Sequence, residues 1–244
     1  MSRIIRRVLA VLIIAVAVLL VVGDRLAVSA AQHAIAVKAR SAAQLKENPS
    51  VTITGIPFLT QAVSGRYEKI KITAHDIRRG GVRIDTIHAE FSGVHVSLSK
   101  ALDGKVSSVP IDKGVGDILI TYPDLGAFLS AKQITVRADG TQLSVDAKVT
   151  VAGQAASAIG IYDVRMSGRS IVLSPVPTSL RVNGAAVAAP LLPSIVAATT
   201  VSIDTGVLPF GLQVASAQVT PEGLRVDATA TGIVVPVPDD ASRT

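Results

Sequence analysis

Sixteen consecutive residues, Val8 to Gly23, carry no charge and no strongly polar side chain. Such a run belongs in hydrocarbon, and it ties whatever the rest of the chain folds into to a membrane or to its export route. Arg3, Arg6 and Arg7 precede it, and Asp24-Arg25 follow at once. At 1.5 Å per residue the run spans about 24 Å of helix, a little short of the ~30 Å hydrocarbon core. Arginines on the leading flank hold that flank in the cytoplasm, which sends everything after Asp24 outward.

Two readings of this segment stand side by side. As a secretory signal, it offers the small residues Val28-Ser29-Ala30 for cleavage. As an anchor, it runs on into Leu26–Glu47, which also reads as helix, with no Gly or Pro stop between. Retention is the favoured reading, and in either case the bulk of the chain lies outside the cytoplasm. The sequence has no cysteine, which removes a lipoprotein anchor and disulfide stapling together. Asn48-Pro49-Ser50 is blocked as a glycosylation acceptor by its proline.

The 221 residues after Gly23 suffice for one large domain with a core of its own. The net charge of +6 owes half its size to the three leading arginines; the remainder holds 21 basic against 18 acidic residues. Beyond the leading arginines basic side chains are scattered, with Arg78-Arg79 the one adjacent pair, so nothing resembles a groove that tracks phosphates and nucleic acid is not an expected partner. Rings are scarce. There is no Trp, and the aromatic set is Phe58, Phe91, Phe128, Phe210, Tyr67, Tyr122 and Tyr162. Sugar and base sites stack their ligands on rings. A chain short of rings but rich in Val, Ala, Ile and Leu suits aliphatic ligands better.

Leu26, Ala30, Ala34, Val37, Ser41 and Leu45 recur at spacings of three and four, giving a helix with one small apolar face that Pro49 should end. Beyond it the period changes to two. Leu143, Val145, Ala147, Val149 and Val151 alternate with Ser144, Asp146, Lys148 and Thr150, and Leu224 to Thr231 does the same. These are strands with one wet face, the mark of antiparallel sheet. Gly80-Gly81, Asp103-Gly104, Asp139-Gly140, Gly168, Asn183-Gly184 and Pro221-Glu222-Gly223 supply turns, Asp139-Gly140 being the clearest hairpin. Short helices are expected at Pro123–Leu129 and Pro190–Ala198, and Gly114-Val115-Gly116 reads as a turn. The layout is a stub and membrane segment over 1–25, one domain over 26–236 and a tail over 237–244.

Eight or more strands, each with three to five apolar residues facing inward, have little helix to cover them. Either the sheet folds on itself as a sandwich or it rolls around the long helix and leaves an apolar slot. An acyl chain filling such a slot gains about 0.8 kcal/mol per methylene; a core filled by the chain itself is the plain alternative.

Gly55-Ile56-Pro57-Phe58-Leu59-Thr60-Gln61, then Gly65-Arg66-Tyr67, Gly153-Gln154, Leu208-Pro209-Phe210-Gly211-Leu212 and Val219-Thr220-Pro221-Glu222-Gly223-Leu224 together resemble the signature of the LmeA-like phospholipid-binding family of actinobacterial envelopes. Ile56 departs from the family's more usual Phe. The resemblance implies an α+β fold, a strongly curled antiparallel sheet wrapped around one long N-terminal helix in the manner of tubular lipid-binding domains. It also implies an extracytoplasmic phospholipid binder, tied in some members to elongation of mannose-containing lipoglycans.

On that reading the lipid-contacting candidates are Pro57, Phe58, Leu59, Phe91, Phe128, Pro209, Phe210 and Leu212. Arg66, Lys69 and Lys71 are candidates for an anionic head group. Each Pro-Phe block should end or bend a strand, because proline cannot donate to a ladder; its Phe and Leu then face a pocket mouth or membrane, or plug the end of the core. The internal echo between Thr54–Gln61 and Thr205–Gln213 reads as two similar strand-end turns.

Enzymatic chemistry leaves no mark. His33, His75, His88 and His95 lack metal-ligand spacing, and His88 and His95, seven apart, fall on opposite faces if one strand holds both. Ser97-Leu98-Ser99-Lys100 sits in strand-like alternation without its companion motifs. No cofactor and no metal is expected. A scaffold for an envelope protein, through a sheet edge or the Pro-Phe turns, is the second class of function, and a hydrolase or transferase acting on envelope lipids or glycans is the third.

Overall fold

Long apolar and alanine-rich sequence gives one unbroken helix, α1, from Ser2 to Ala43. In the computed structural model, described over residues 2–79, 81–130, 133–140, 142–151, 153–167, 170–204 and 211–237, it is the first of five α-helices. Its residues from Val8 to Val22 stand exposed, and it is long and apolar enough to cross a membrane. Pro49 is not what ends it. Gln44 takes a left-handed backbone (φ 54°) and the Leu45 N–H donates to the Arg40 carbonyl at 2.9 Å, which closes the last turn five residues before the proline.

The packed face of α1 also differs from the expected one. Asp24, Ala36, Ala39 and Ala43 are buried, whereas Leu26, Ala30, Ala34 and Val37 face outward. Alanines recur at helical spacing on both faces, so periodicity alone does not choose between them. α1 has β1 and α2 as neighbours, and its buried positions in the second half are the small Ala36, Ala39 and Ala43.

After α1 come β1 (Ser50–Thr54), α2 (Phe58–Ser64), β2 (Arg66–Arg79), β3 (Val82–His95), α3 (Leu98–Leu102), β4 (Ser108–Thr121) and α4 (Tyr122–Ser130). Then follow β5 (Ile134–Asp139), β6 (Gln142–Val151), β7 (Gln154–Ser167), β8 (Ser170–Pro175), β9 (Arg181–Val182), β10 (Ala185–Ala186), α5 (Leu192–Thr199), β11 (Val201–Asp204), β12 (Gln213–Val219) and β13 (Gly223–Pro236). The α+β class and the long N-terminal helix are as expected. The strands, however, divide between two antiparallel sheets rather than forming one: β1-β2-β3-β4-β13-β12, and β10-β9-β7-β6-β5 with β8 joined to β7 and β11. The hairpin at Asp139-Gly140 is present, with Asp139 opposite Gln142.

The chain forms two compact units. The first comprises residues 1–72, 90–113 and 231–244, the second 73–89 and 114–230. In the second, the alternation of β6 resolves as expected: Leu143, Val145 and Ala147 are buried, and α5 packs on β6 and β8. Gly160 lets the segment at Leu180 close on β7, since a Cβ there would lie 2.9 Å from a Leu180 methyl.

Four local readings change. Gly114-Val115-Gly116 is not a turn but lies inside β4; Gly116 is required because a Cβ would meet the His88 carbonyl at 2.7 Å and a Leu212 methyl at 3.0 Å. Ser97–Lys100 is not strand but the start of helix α3. The first Pro-Phe block follows the end of β1 at Thr54, as expected, but its Phe58 opens a helix, α2. One strand, β3, holds both His88 and His95, yet neither is on a buried face: the burial alternation slips by one at Gly93 (φ 63°), so both fall on the wetter phase. Gly80, Gly168, the echo segment at Thr205–Phe210 and the tail from Pro238 lie outside the described residues.

Candidate functional site

The first unit explains the Gly55–Gln61 block atom by atom. Gly55 takes φ 108°, and a Cβ there would lie 2.4 Å from the Gln61 side-chain nitrogen. Gln61, buried, donates from Nε2 to the Thr54 carbonyl (3.3 Å) and accepts the Glu68 N–H at Oε1 (2.9 Å). Its amide therefore ties the end of β1 to the start of β2 across α2. Pro57 precedes the first residue of α2 and is joined to Ile56 by a cis peptide. Phe58 is buried with its ring 6.0 Å from that of Tyr67, whose phenol is pushed above its ordinary pKa by burial.

A residue that the sequence did not single out completes this block. The residue before α2, Pro57, provides no side-chain cap for its first N–H groups. The Leu59 N–H instead donates to Asp24 Oδ1 at 2.8 Å. Asp24, buried, thus supplies the carboxylate that a short helix favours at its N-terminus. The partners are 35 residues apart, which no local pattern reveals.

Each basic candidate stands beside a carboxylate. Lys69 Nζ lies 2.6 Å and Lys71 Nζ 3.5 Å from Glu90, and Arg66 lies 3.3 Å from Asp112, which also takes His95 at 3.0 Å. Lys69 chiefly, then Lys71, holds the Glu90 carboxyl below its ordinary pKa. A phosphate approaching these side chains meets partly neutralised charges. Phe91 is buried in β3, in the same unit.

Phe128 and Leu212 belong to the second unit. Phe128 is half-buried on α4, 3.4 Å from where a Gly81 Cβ would stand, and Leu212 is buried. Pro209 and Phe210 lie outside the described residues. α4 is fixed by a polar cluster that the sequence showed only through Asp124. Arg83 Nη1 donates to both Asp124 oxygens at 3.0 Å, and its Nε to Asp76 at 2.6 Å; the Thr121 hydroxyl donates to Asp124 Oδ2 at 2.6 Å. Asp76 and Asp124 hold the Arg83 proton more firmly than water would.

The Thr220–Gly223 block is a tight turn in which the Thr220 N–H donates to the Gly223 carbonyl at 2.8 Å. Gly223 is needed because a Cβ would lie 2.2 Å from the Ile120 carbonyl oxygen, and the Tyr122 hydroxyl donates to the Thr220 carbonyl. The Tyr162 hydroxyl is buried among β7 neighbours without a hydrogen bond of good geometry; burial raises its pKa, and the nearby Thr199 hydroxyl opposes the rise. Among the described residues no group of three or more His, Asp or Glu side chains is placed to hold a metal ion.

A family model described as LmeA-like phospholipid-binding matches residues 22–229. No curated protein and no solved structure shows significant similarity to the chain.

Proposed function

The chain belongs to the LmeA-like phospholipid-binding family, and from that premise we propose that it binds phospholipid acyl chains on the extracytoplasmic side of a membrane while still attached to it through α1. The family match over residues 22–229 carries the lipid reading. Retention of α1 is supported by Asp24: cleavage after Ala30 would remove the carboxylate that caps α2, so the residue just beyond the apolar run is built into the fold. The three leading arginines support the orientation.

In this reading residues 26–236 act as one lipid-binding domain, and the acyl chains occupy an apolar slot of the kind a curled sheet over a long helix would provide. Leu59 in the first unit and Phe128 in the second are the candidate contacts that retain exposure, whereas Phe58, Phe91 and Leu212 are buried. The protein's place would be in envelope lipid or lipoglycan assembly, as a carrier with no reaction of its own.

A phospholipid with a photoactivatable diazirine in its acyl chain tests this. Added to membranes holding the full chain and irradiated, it should leave adducts on peptides of residues 66–236 as well as on α1. Adducts confined to residues 2–65 would mean that the chain meets lipid only as bilayer.

A further inference from the structure

Eighteen consecutive residues, Asn48 to Gly65, carry no charge in a protein where 17% of residues are charged. They are not simply core. On the turn before α2 and on its outer face, Ile56 is 75% exposed, Leu59 41% and Val63 77%. α3, which packs beside α2, adds Leu102 in the open. The hydrogen bond from Leu59 to Asp24 sets the level of this patch: it lies where α1 leaves its apolar run.

We propose that the Ile56–Val63 flank is a lip inserted into the surface of the same bilayer that α1 crosses; this rests on the anchor reading above. The length of the run decides the depth. Sixteen residues give about 24 Å of helix against a ~30 Å hydrocarbon core, so Asp24 and the flank tied to it are drawn to the boundary, not held above it. An unpaired carboxylate would resist that position. Asp24 does not, because it is buried in its contact with α2 and presents its oxygen to the Leu59 N–H. The lip places the start of α2 against lipid, where a phospholipid leaving the bilayer would first meet the protein.

The chain has no cysteine, so single cysteines report cleanly. In the full chain, V63C and L59C would each carry an environment-sensitive NBD label in nanodiscs of phosphatidylcholine and phosphatidylglycerol. The lip requires blue-shifted emission, strong quenching by lipids bearing a nitroxide near the head group, and protection from aqueous iodide. The pair I56S and V63S, both at exposed positions, should expose the L59C label to iodide without changing the melting temperature. A label at either position that is open to iodide and untouched by nitroxide lipid, on a chain whose intact mass shows residues 1–30 present, overturns the lip alone. Loss of residues 1–30 overturns it together with the anchor reading. The acyl-chain adducts described above are read independently of both.

Discussion

In the sheet built around β6 and β7, Leu143, Val145, Ala147, Ala158, Ile171 and Leu173 are withdrawn from water by α5 and by one another. Around α2, by contrast, eight residues from Ile56 to Val63 leave three aliphatic side chains in the open. Both stretches are apolar in sequence. What separates them is the partner: the first has its cover within the chain, and the second is tied at Leu59 to Asp24 of a membrane-length helix. The question of how so much apolar sheet is covered therefore has a local answer in the second unit, where the chain supplies the cover. In the first, Ile56, Leu59 and Val63 remain exposed.

The contrast can be broken most forcefully by truncating one side chain in each region. L143A should cost about 2–5 kcal/mol, because the side chain is fully enclosed and the hole cannot collapse completely. V63A should change stability by no more than about 0.5 kcal/mol. Denaturation of the full chain in detergent checks both; a large loss at Val63 would make it a core residue and end the comparison.

A smaller effect sharpens the account of α2. Replacing its cap, D24A should cost about 1–2 kcal/mol and speed hydrogen exchange at the Leu59 amide, whereas D24N, which keeps an acceptor, should restore most of both. Unchanged exchange at that amide would show that α2 does not depend on α1.

Smaller again is Y162F. An unbonded buried hydroxyl is a cost, so its removal should leave the second unit unchanged or more stable by about 1 kcal/mol. A loss of stability would mean that Thr199 is a true partner.

The least is expected of E90Q. The Glu90 carboxyl is held below its ordinary pKa, so its contribution is present at neutral pH and disappears as pH falls through that lowered value. E90Q should therefore differ from the parent by a few tenths of a kcal/mol at pH 7, and the difference should shrink as acid protonates Glu90. A difference that persists in acid would place the effect in packing.

Much of this was legible beforehand, and the failures have a common cause. The membrane-length run, the Asp139-Gly140 hairpin, α4 and α5 follow from composition, turn chemistry and a period of two or 3.6 residues. Those are local signals. The packed face of α1 was missed because alanine is equally at home on either side, and the true side is set by β1 and α2. Helix α2 is hidden because a Pro-Phe block reads as a strand end until Gln61, bonded seven residues either way, and Asp24, 35 residues from Leu59, hold it as helix. Gly116 looked like a turn because its role, making room for Leu212, depends on a residue 96 positions away. Asp24 itself looked like the flank of a membrane segment, and only the hydrogen bond to Leu59 shows that it is also part of the fold.

The central claim is that this chain holds a phospholipid in its folded part. Native mass spectrometry tests it most directly, at a collision energy that strips detergent and loosely attached lipid from the full chain. The account requires a species one phospholipid heavier than the polypeptide, present on isolation or after incubation with vesicles. The bare chain alone under both conditions would contradict it.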